Sequence, residues 1–218
     1  MRIIVGMLLL LTLCTSVSYA KPEIVLNIPE YTLRLFEGKT LLKQYEVAVG
    51  TPIEQTPVGK FAVTFKEINP TWYPASGFVD KTPVPPGPDN PLGSRWIEFA
   101  PGFGIHGTYK VWTVDYPVSG GCVRMYNPDV EELYALVDVG TPVTTIYETI
   151  TFAEKKDTLY VRIFSDIYEK NTTTREKYTA LIAPYKEEYK IISEPTWPVK
   201  VDFAKPFELK VGVRKSGK

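Results

Sequence analysis

Gly102-Phe103-Gly104-Ile105-His106-Gly107-Thr108 and, after a gap, Ser119-Gly120-Gly121-Cys122-Val123-Arg124-Met125 decide how this chain must fold. The first stretch holds the only histidine in 218 residues. The second holds one of two cysteines, and the other, Cys14, lies in a segment with the marks of a signal peptide. Partners on a helix face sit three or four residues apart, so the fifteen residues between His106 and Cys122 exclude that arrangement. The imidazole and the thiol must meet through tertiary folding, most simply on neighbouring strands.

Outward from this pair the chain reads as β-structure. Ile24–Ile28 forms a strand, and Tyr31–Phe36 alternates with Tyr31, Leu33 and Leu35 on one face. A turn at Glu37-Gly38-Lys39 leads to a strand over Leu41–Val49, giving a hairpin. Lys60–Lys66 places Phe61, Val63 and Phe65 on one face, and Trp96–Phe99 is a short strand. Between them, residues 69–95 carry six prolines from Pro74 to Pro91, which excludes a helix or a central strand. Trp72, Tyr73, Phe78 and Trp96 have surface to bury, so the expectation is a stiff loop packed against the body, either one wall of a cleft or a merely structural lid.

After the cysteine, Asn127 is a helix cap, Pro128 the first helical residue, and Val130, Leu133, Leu136 and Val137 the buried stripe. Thr141–Tyr147 returns as a strand. In the tail, Thr158–Phe164 is a strand, Thr174–Ile191 a helix interrupted at Pro184, and Val199–Phe203 and Phe207–Val213 short strands. The organisation is a signal peptide over 1–20, a catalytic domain over 21–150 and a C-terminal strand and helical extension over 151–218. The fold class is mainly β, with one short helix after the cysteine and a small mixed α/β extension.

Lysine plus arginine equals aspartate plus glutamate at 25 each, so no basic excess exists for phosphates and a general nucleic-acid binder is excluded. Residues 1–20 have Arg2 as their only charge, an apolar run over Ile3–Leu13 and small residues in Ser18-Tyr19-Ala20 where a signal peptidase cuts. The run is too short for a comfortable membrane span, so the expectation is export with cleavage after Ala20 and no stable span thereafter. Cys122 is then alone in an oxidising compartment, and a lone exported thiol is a mark of reactivity. The competing account is an inert cysteine packed as a small hydrophobe.

Two glycines before a nucleophile let the backbone turn sharply and aim successive N–H groups at one point, as an oxyanion hole requires. Cys122 is the candidate nucleophile, His106 the general base and acid, and Gly120 and Gly121 the oxyanion backbone. No acidic residue stands out as the orienter of the imidazole, a task a backbone carbonyl can perform. The reaction class is acyl transfer through a thioester. One histidine and one cysteine fall short of the three or four ligands zinc needs, so neither metal nor cofactor is expected. Ser119 as a serine nucleophile is weaker, since the Gly-Gly turn leads to the cysteine.

His106-Gly107-Thr108 and Ser119 to Met125, with Thr56-Pro57-Val58-Gly59, Asn69-Pro70-Thr71-Trp72, Pro85-Pro86-Gly87-Pro88 and Asn90-Pro91-Leu92-Gly93, resemble the L,D-transpeptidase (YkuD-type) catalytic domain, in its ErfK/YbiS-like branch. The resemblance covers residues 22–148 and leaves the tail uncovered. It implies a β-sandwich of the L,D-transpeptidase type with cysteine and histidine facing a cleft. It also implies attack by Cys122 on a peptidoglycan tetrapeptide stem, release of the terminal D-alanine, and transfer of the acyl group to an amine on a second stem or on an envelope protein. With water as acceptor the same site is an L,D-carboxypeptidase. A non-catalytic cell-wall-binding module is the reading outside enzymology. By position, the Gly107 carbonyl orients His106, and Arg124, Ser119, Thr108, Trp72 and Tyr73 are substrate-binding candidates. The implied location is the periplasm or cell wall. Many members have a second histidine two residues before the cysteine, where this chain has Gly120.

Overall fold

The computed structural model describes residues 21–216 apart from Ser76, Phe78 and Ala204. The signal peptide expected over 1–20 lies outside the described residues, as does Phe78. Strands β1 (Pro22–Asn27), β2 (Thr32–Glu37) and β3 (Thr40–Glu46) run as a meander, followed by β4 (Val49–Gly50), β5 (Gly59–Ala62) and β6 (Phe65–Ile68). After the Pro-rich loop come β7 (Arg95–Ala100), β8 (Phe103–His106), β9 (Pro117–Ser119), β10 (Val123–Arg124), helix α1 (Asn127–Leu136) and β11 (Pro142–Ile146). The tail supplies β12 (Ile150–Lys155), β13 (Thr158–Ile163), α2 (Arg175–Ile182), β14 (Tyr189–Ile191) and β15 (Phe207–Arg214).

Two sheets share the main core. One has the order β3-β2-β1-β11-β5 and the other β10-β8-β7-β6. Alternation along each strand turns Leu26, Leu33 and Leu35 of the first sheet, and Ile97, Phe99 and Ile105 of the second, into one buried cluster with Val130 and Leu133 of α1. The mainly β class is as expected from the sequence.

The single strand expected over Lys60–Lys66 is instead two. Phe61 pairs with Val143 in the first sheet and Phe65 with Glu98 in the second. The chain crosses at Val63-Thr64, where Val63 N–H bonds Thr141 O at 2.9 Å and Thr64 N–H bonds Glu98 O at 2.8 Å. Strands that switch sheets make the corners of such packings, and here the switch leaves Phe65 50% exposed.

Helix α1 also differs from its sequence reading. Asn127 is the first helical residue and Tyr126 the cap, with extended ψ of 144° and no side-chain bond. The Asn127 amide oxygen instead accepts from Ser94 N–H at 3.2 Å, tying the helix start to the end of the Pro-rich loop. Leu136 is 40% exposed rather than buried, while Leu133 before it and Val137 after it stay in the core. Lys66 Nζ caps that end, donating to Tyr134 O at 2.8 Å and to Val137 O.

Beyond β11 a second sheet system, β12-β13-β15-β14, packs on α2 around its own cluster of Leu159, Val161, Ile163, Tyr178, Ile182 and Val211. The helix expected through Ile191 ends at Ile182, a short 3₁₀ turn follows at Pro184–Lys186, and Tyr189–Ile191 pairs with β15 as an edge strand. Val199–Phe203 is not a strand; among the described residues it forms the isolated bridge Asp202–Lys205.

The tail is joined to the body by polar and apolar ties. The buried Glu30 carboxylate takes Arg34 of β2 at 2.7 Å and Arg162 of β13 at 2.9 Å. Two guanidinium partners offset the desolvation of the buried charge, and loss of either would leave it under-compensated. Ile167 and Tyr168, between β13 and α2, turn back and bury themselves in the main core.

Candidate active site

Strand β8 pairs antiparallel with β7 and parallel with β10. Its register sets Trp96 opposite His106 and Arg124 beside it, and extends to Glu67 opposite Trp96. The next row holds Gly104, Glu98 and Phe65. Residues at alternate positions share a face. Ile97, Ile105 and Val123 point into the core, so His106, Trp96, Glu98 and Arg124 line the opposite face. Cys122 precedes β10 at the same parity as Arg124, which brings the thiol to this face beside Gly104.

His106 is buried, and its Nδ1 lies 2.6 Å from Gly107 O. A carbonyl only accepts, so Nδ1 carries the proton and Nε2 is the free nitrogen. The indole of Trp96 stacks on the imidazole with centroids 5.8 Å apart and planes 24° from parallel. That stack explains Gly104: a β-carbon there would come within 2.5 Å of the Trp96 ring. Burial, against the Gly107 hydrogen bond and with help from Arg124, pushes the imidazole down to about 4. His106 is therefore neutral at pH 7.

Burial pushes the Cys122 thiol up, opposed by a backbone hydrogen bond from Gly104 and by the Arg124 charge, and reinforced by Glu98. The resting site is thus a neutral thiol beside a neutral imidazole. The thiol donates toward Gly102 O, 3.7 Å away. Arg124 is partly buried, which lowers its pKa, while Cys122 and Tyr109 raise it. Among the described residues neither Arg124 nor Glu98 makes a salt bridge, although Glu98 Oε1 accepts from Thr64 Oγ1 at 3.2 Å.

The loop before Cys122 is held by side-chain hydroxyls. Ser119 Oγ donates to Cys122 O at 2.5 Å and accepts from Gly121 N–H at 3.1 Å. The donor assigned from the sequence to Gly121 is therefore engaged within the loop. Thr56 Oγ1 donates to Gly121 O at 2.9 Å and accepts from Gly50 N–H at 2.9 Å. Gly121 adopts φ +99°, and a β-carbon would meet the Phe103 ring at 2.5 Å. At Gly120, the Glu54 carboxylate lies 3.6 Å from where a side chain would begin.

The other substrate-binding candidates scatter. Ser119 and Thr108 are buried, with Thr108 Oγ1 accepting from Lys110 N–H at 3.0 Å, so both hydroxyls shape turns. Tyr73 is 73% exposed on the Pro-rich loop, and Trp72 pairs with Val84 across it. That loop is organised by a residue the sequence reading did not single out. Asn90 is fully buried and donates to Pro70 O, Val84 O and Pro85 O at 2.8, 3.0 and 3.1 Å. Thr56, Trp96 and Tyr168 were likewise missed as site residues. The first two lie within quoted motifs or strands, whereas Tyr168 leaves no local signal. Among the described residues no group of three or more His, Cys, Asp or Glu is placed to hold a metal. No described helix is long and apolar enough to cross a membrane.

A family model for the L,D-transpeptidase catalytic domain matches residues 21–145. The chain is 36% identical over 140 residues to the putative L,D-transpeptidase YqjB of Bacillus subtilis, covering 61% of this chain and 76% of that one. It is 32% identical over 182 residues to the probable L,D-transpeptidase YcfS of Escherichia coli, covering 76% of this chain and 57% of that one. It spans about half, 47%, of the probable L,D-transpeptidase ErfK/SrfK of Salmonella typhimurium, at 31% identity over 62% of its own length. An L,D-transpeptidase structure from Mycobacterium smegmatis aligns with TM-score 0.49 and 21% identity, over 58% of this chain and 59% of that one. With the histidine strand paired to the strand that follows the cysteine, and with the family match spanning both, the chain belongs to the L,D-transpeptidase catalytic-domain family.

Proposed function

We propose that the protein is an exported transpeptidase that acts on peptidoglycan tetrapeptide stems through a Cys122 thioester. The observation that carries this reading is the His106 geometry: Nδ1 is anchored on Gly107 O, which leaves the Nε2 lone pair as the proton acceptor on the face that holds Cys122. Attack forms the bond from Sγ to the stem carbonyl carbon and breaks the amide bond to the terminal D-alanine. The thiol proton passes to Nε2 and then to the departing amine. An acceptor amine next attacks the thioester, its proton returns through His106 to sulfur, and the crosslink is made. Because both groups rest neutral, the proton moves during attack rather than beforehand. The amides of Gly120 and Cys122 are the donors left for the developing oxyanion, and Arg124 is the anchor for a substrate carboxylate. An envelope protein amine is an alternative acceptor, and with water the outcome is carboxypeptidase activity.

Intact-mass analysis after incubation with imipenem tests the nucleophile. Wild type should gain one covalent adduct and Cys122→Ala none. No adduct on wild type, or an adduct that survives the substitution, would contradict the reading. Product analysis on purified muropeptides, with and without an added amine, then separates transfer from hydrolysis.

A further inference from the structure

Tyr168 lies beyond the matched region of residues 21–145, in the segment that returns from β13 to the main core. Its hydroxyl donates to Gly50 O at 2.9 Å and accepts from Thr56 N–H at 3.1 Å. Thr56 Oγ1 in turn bridges Gly50 N–H and Gly121 O. The segment that delivers Tyr168 is itself braced. Tyr168 N–H bonds Tyr147 Oη at 2.7 Å, the two rings stack at 5.3 Å, and Tyr147 donates to Asp166 Oδ1 at 2.7 Å. Asp166 also accepts from Lys170 N–H and Thr172 N–H, which closes the turn around Tyr168.

The Gly121 carbonyl and the Cys122 N–H belong to one planar, trans peptide unit and point in opposite directions. Whatever fixes the Gly121 oxygen therefore fixes the direction of the Cys122 N–H. Glycine at 121, with φ +99°, offers little steric resistance to rotation of that plane; Ser119 holds the flanking Gly121 N–H and Cys122 O, and the direct hold on the Gly121 oxygen comes from Thr56. Thr56 is held in place by Tyr168, whose hydroxyl satisfies both its N–H and the Gly50 carbonyl. Buried polar groups of this kind are costly to leave unpaired, so loss of the phenol hydroxyl forces Thr56 or Gly50 to find other partners.

We infer that Tyr168, supplied by the C-terminal extension, is a positioning residue that aims the Cys122 amide at the oxyanion through Thr56 and Gly121. On this reading the extension is a working part of the acyl-transfer site and not an appendage. The inference rests on the thioester reading above, since it assigns a role to the oxyanion donor of that reaction.

The experiment is stopped-flow or quenched acylation of the full chain by imipenem, read as the limiting acylation rate constant and the concentration for half-maximal rate. Tyr168→Phe keeps the ring and its stack but removes both hydrogen bonds. The limiting rate should fall about 10-fold, part of the roughly 100-fold or more that follows outright loss of an oxyanion donor, with half-saturation changed less than about 2-fold. Thr56→Val should fall at least as far, Thr56→Ser should keep wild-type rate, and Tyr168→Phe/Thr56→Val should be no slower than Thr56→Val alone, because the two act in series. A merely structural role would lower the melting temperature without splitting rate from half-saturation, and the two losses would multiply. Wild-type acylation rate in Tyr168→Phe, or multiplicative losses in the double variant, overturns the inference while the thioester reading stands. Absence of any adduct on wild type overturns that reading and the inference with it.

Discussion

The two halves of the proposed catalytic pair are held in place by different means. His106 sits in a backbone ladder between β7 and β10, and its ring is fixed by the neighbouring Gly107 carbonyl and the Trp96 stack. Cys122 sits at the end of a loop with little ladder of its own, fixed by the hydroxyls of Ser119 and Thr56 and, one step further, of Tyr168. A ladder distributes the constraint over many backbone bonds, whereas a loop held by three hydroxyls concentrates it. The cysteine side should accordingly be the more fragile of the two.

The largest effect expected from this contrast is at Gly121. Gly121→Ala places a β-carbon against Phe103 at a positive φ, and displacement of the loop by about 1 Å should slow imipenem acylation on the order of 100-fold. An alanine variant that acylates within a few-fold of wild type would show the loop to be held by more than the hydroxyls.

The histidine side should show its cost in stability. Its folded pKa of about 4 lies below the ordinary 6.5 of an unfolded chain. Between those values the unfolded chain binds a proton that the folded chain refuses, so stability falls as pH drops through that window and is unaffected by this group above it. From pH 7 to pH 4.5 the loss from His106 should be about 2 kcal/mol. Urea unfolding of wild type and His106→Gln at the two pH values measures it, and equal losses in both proteins would contradict the burial of a neutral imidazole.

The smallest effect is expected at the stack. Trp96→Leu removes the ring over His106 but leaves the ladder, and aromatic stacking is worth about 1 kcal/mol, so acylation should slow less than about 10-fold. A loss equal to that of Gly121→Ala would erase the contrast between ladder and loop.

Much of this architecture was legible in the sequence because it is local. Alternation in Tyr31–Phe36, the turn at Glu37-Gly38-Lys39 and the prolines of 69–95 each act through neighbouring residues, and the strands and the long loop fall where they predict. The His-Gly-Thr and Ser-Gly-Gly-Cys motifs were legible for the same reason. What misled was a pattern with two solutions: Phe61, Val63 and Phe65 alternate as one strand would, yet the chain changes sheets between them. Asn127 satisfies the composition of a cap but meets the Ser94 amide across the loop instead.

By itself, then, the sequence determined the candidate residue types, the β class, and the exclusion of helix-face adjacency for His106 and Cys122, since fifteen residues lie between them. Only the tertiary structure decided which amides of the Gly-Gly-Cys loop are engaged, that His106 and Cys122 rest neutral, and that a tyrosine 46 residues beyond Cys122 braces its loop. The physical reason is the same in each case. Burial and hydrogen-bond partnership are set by groups brought together from distant parts of the chain, and no local pattern carries that information.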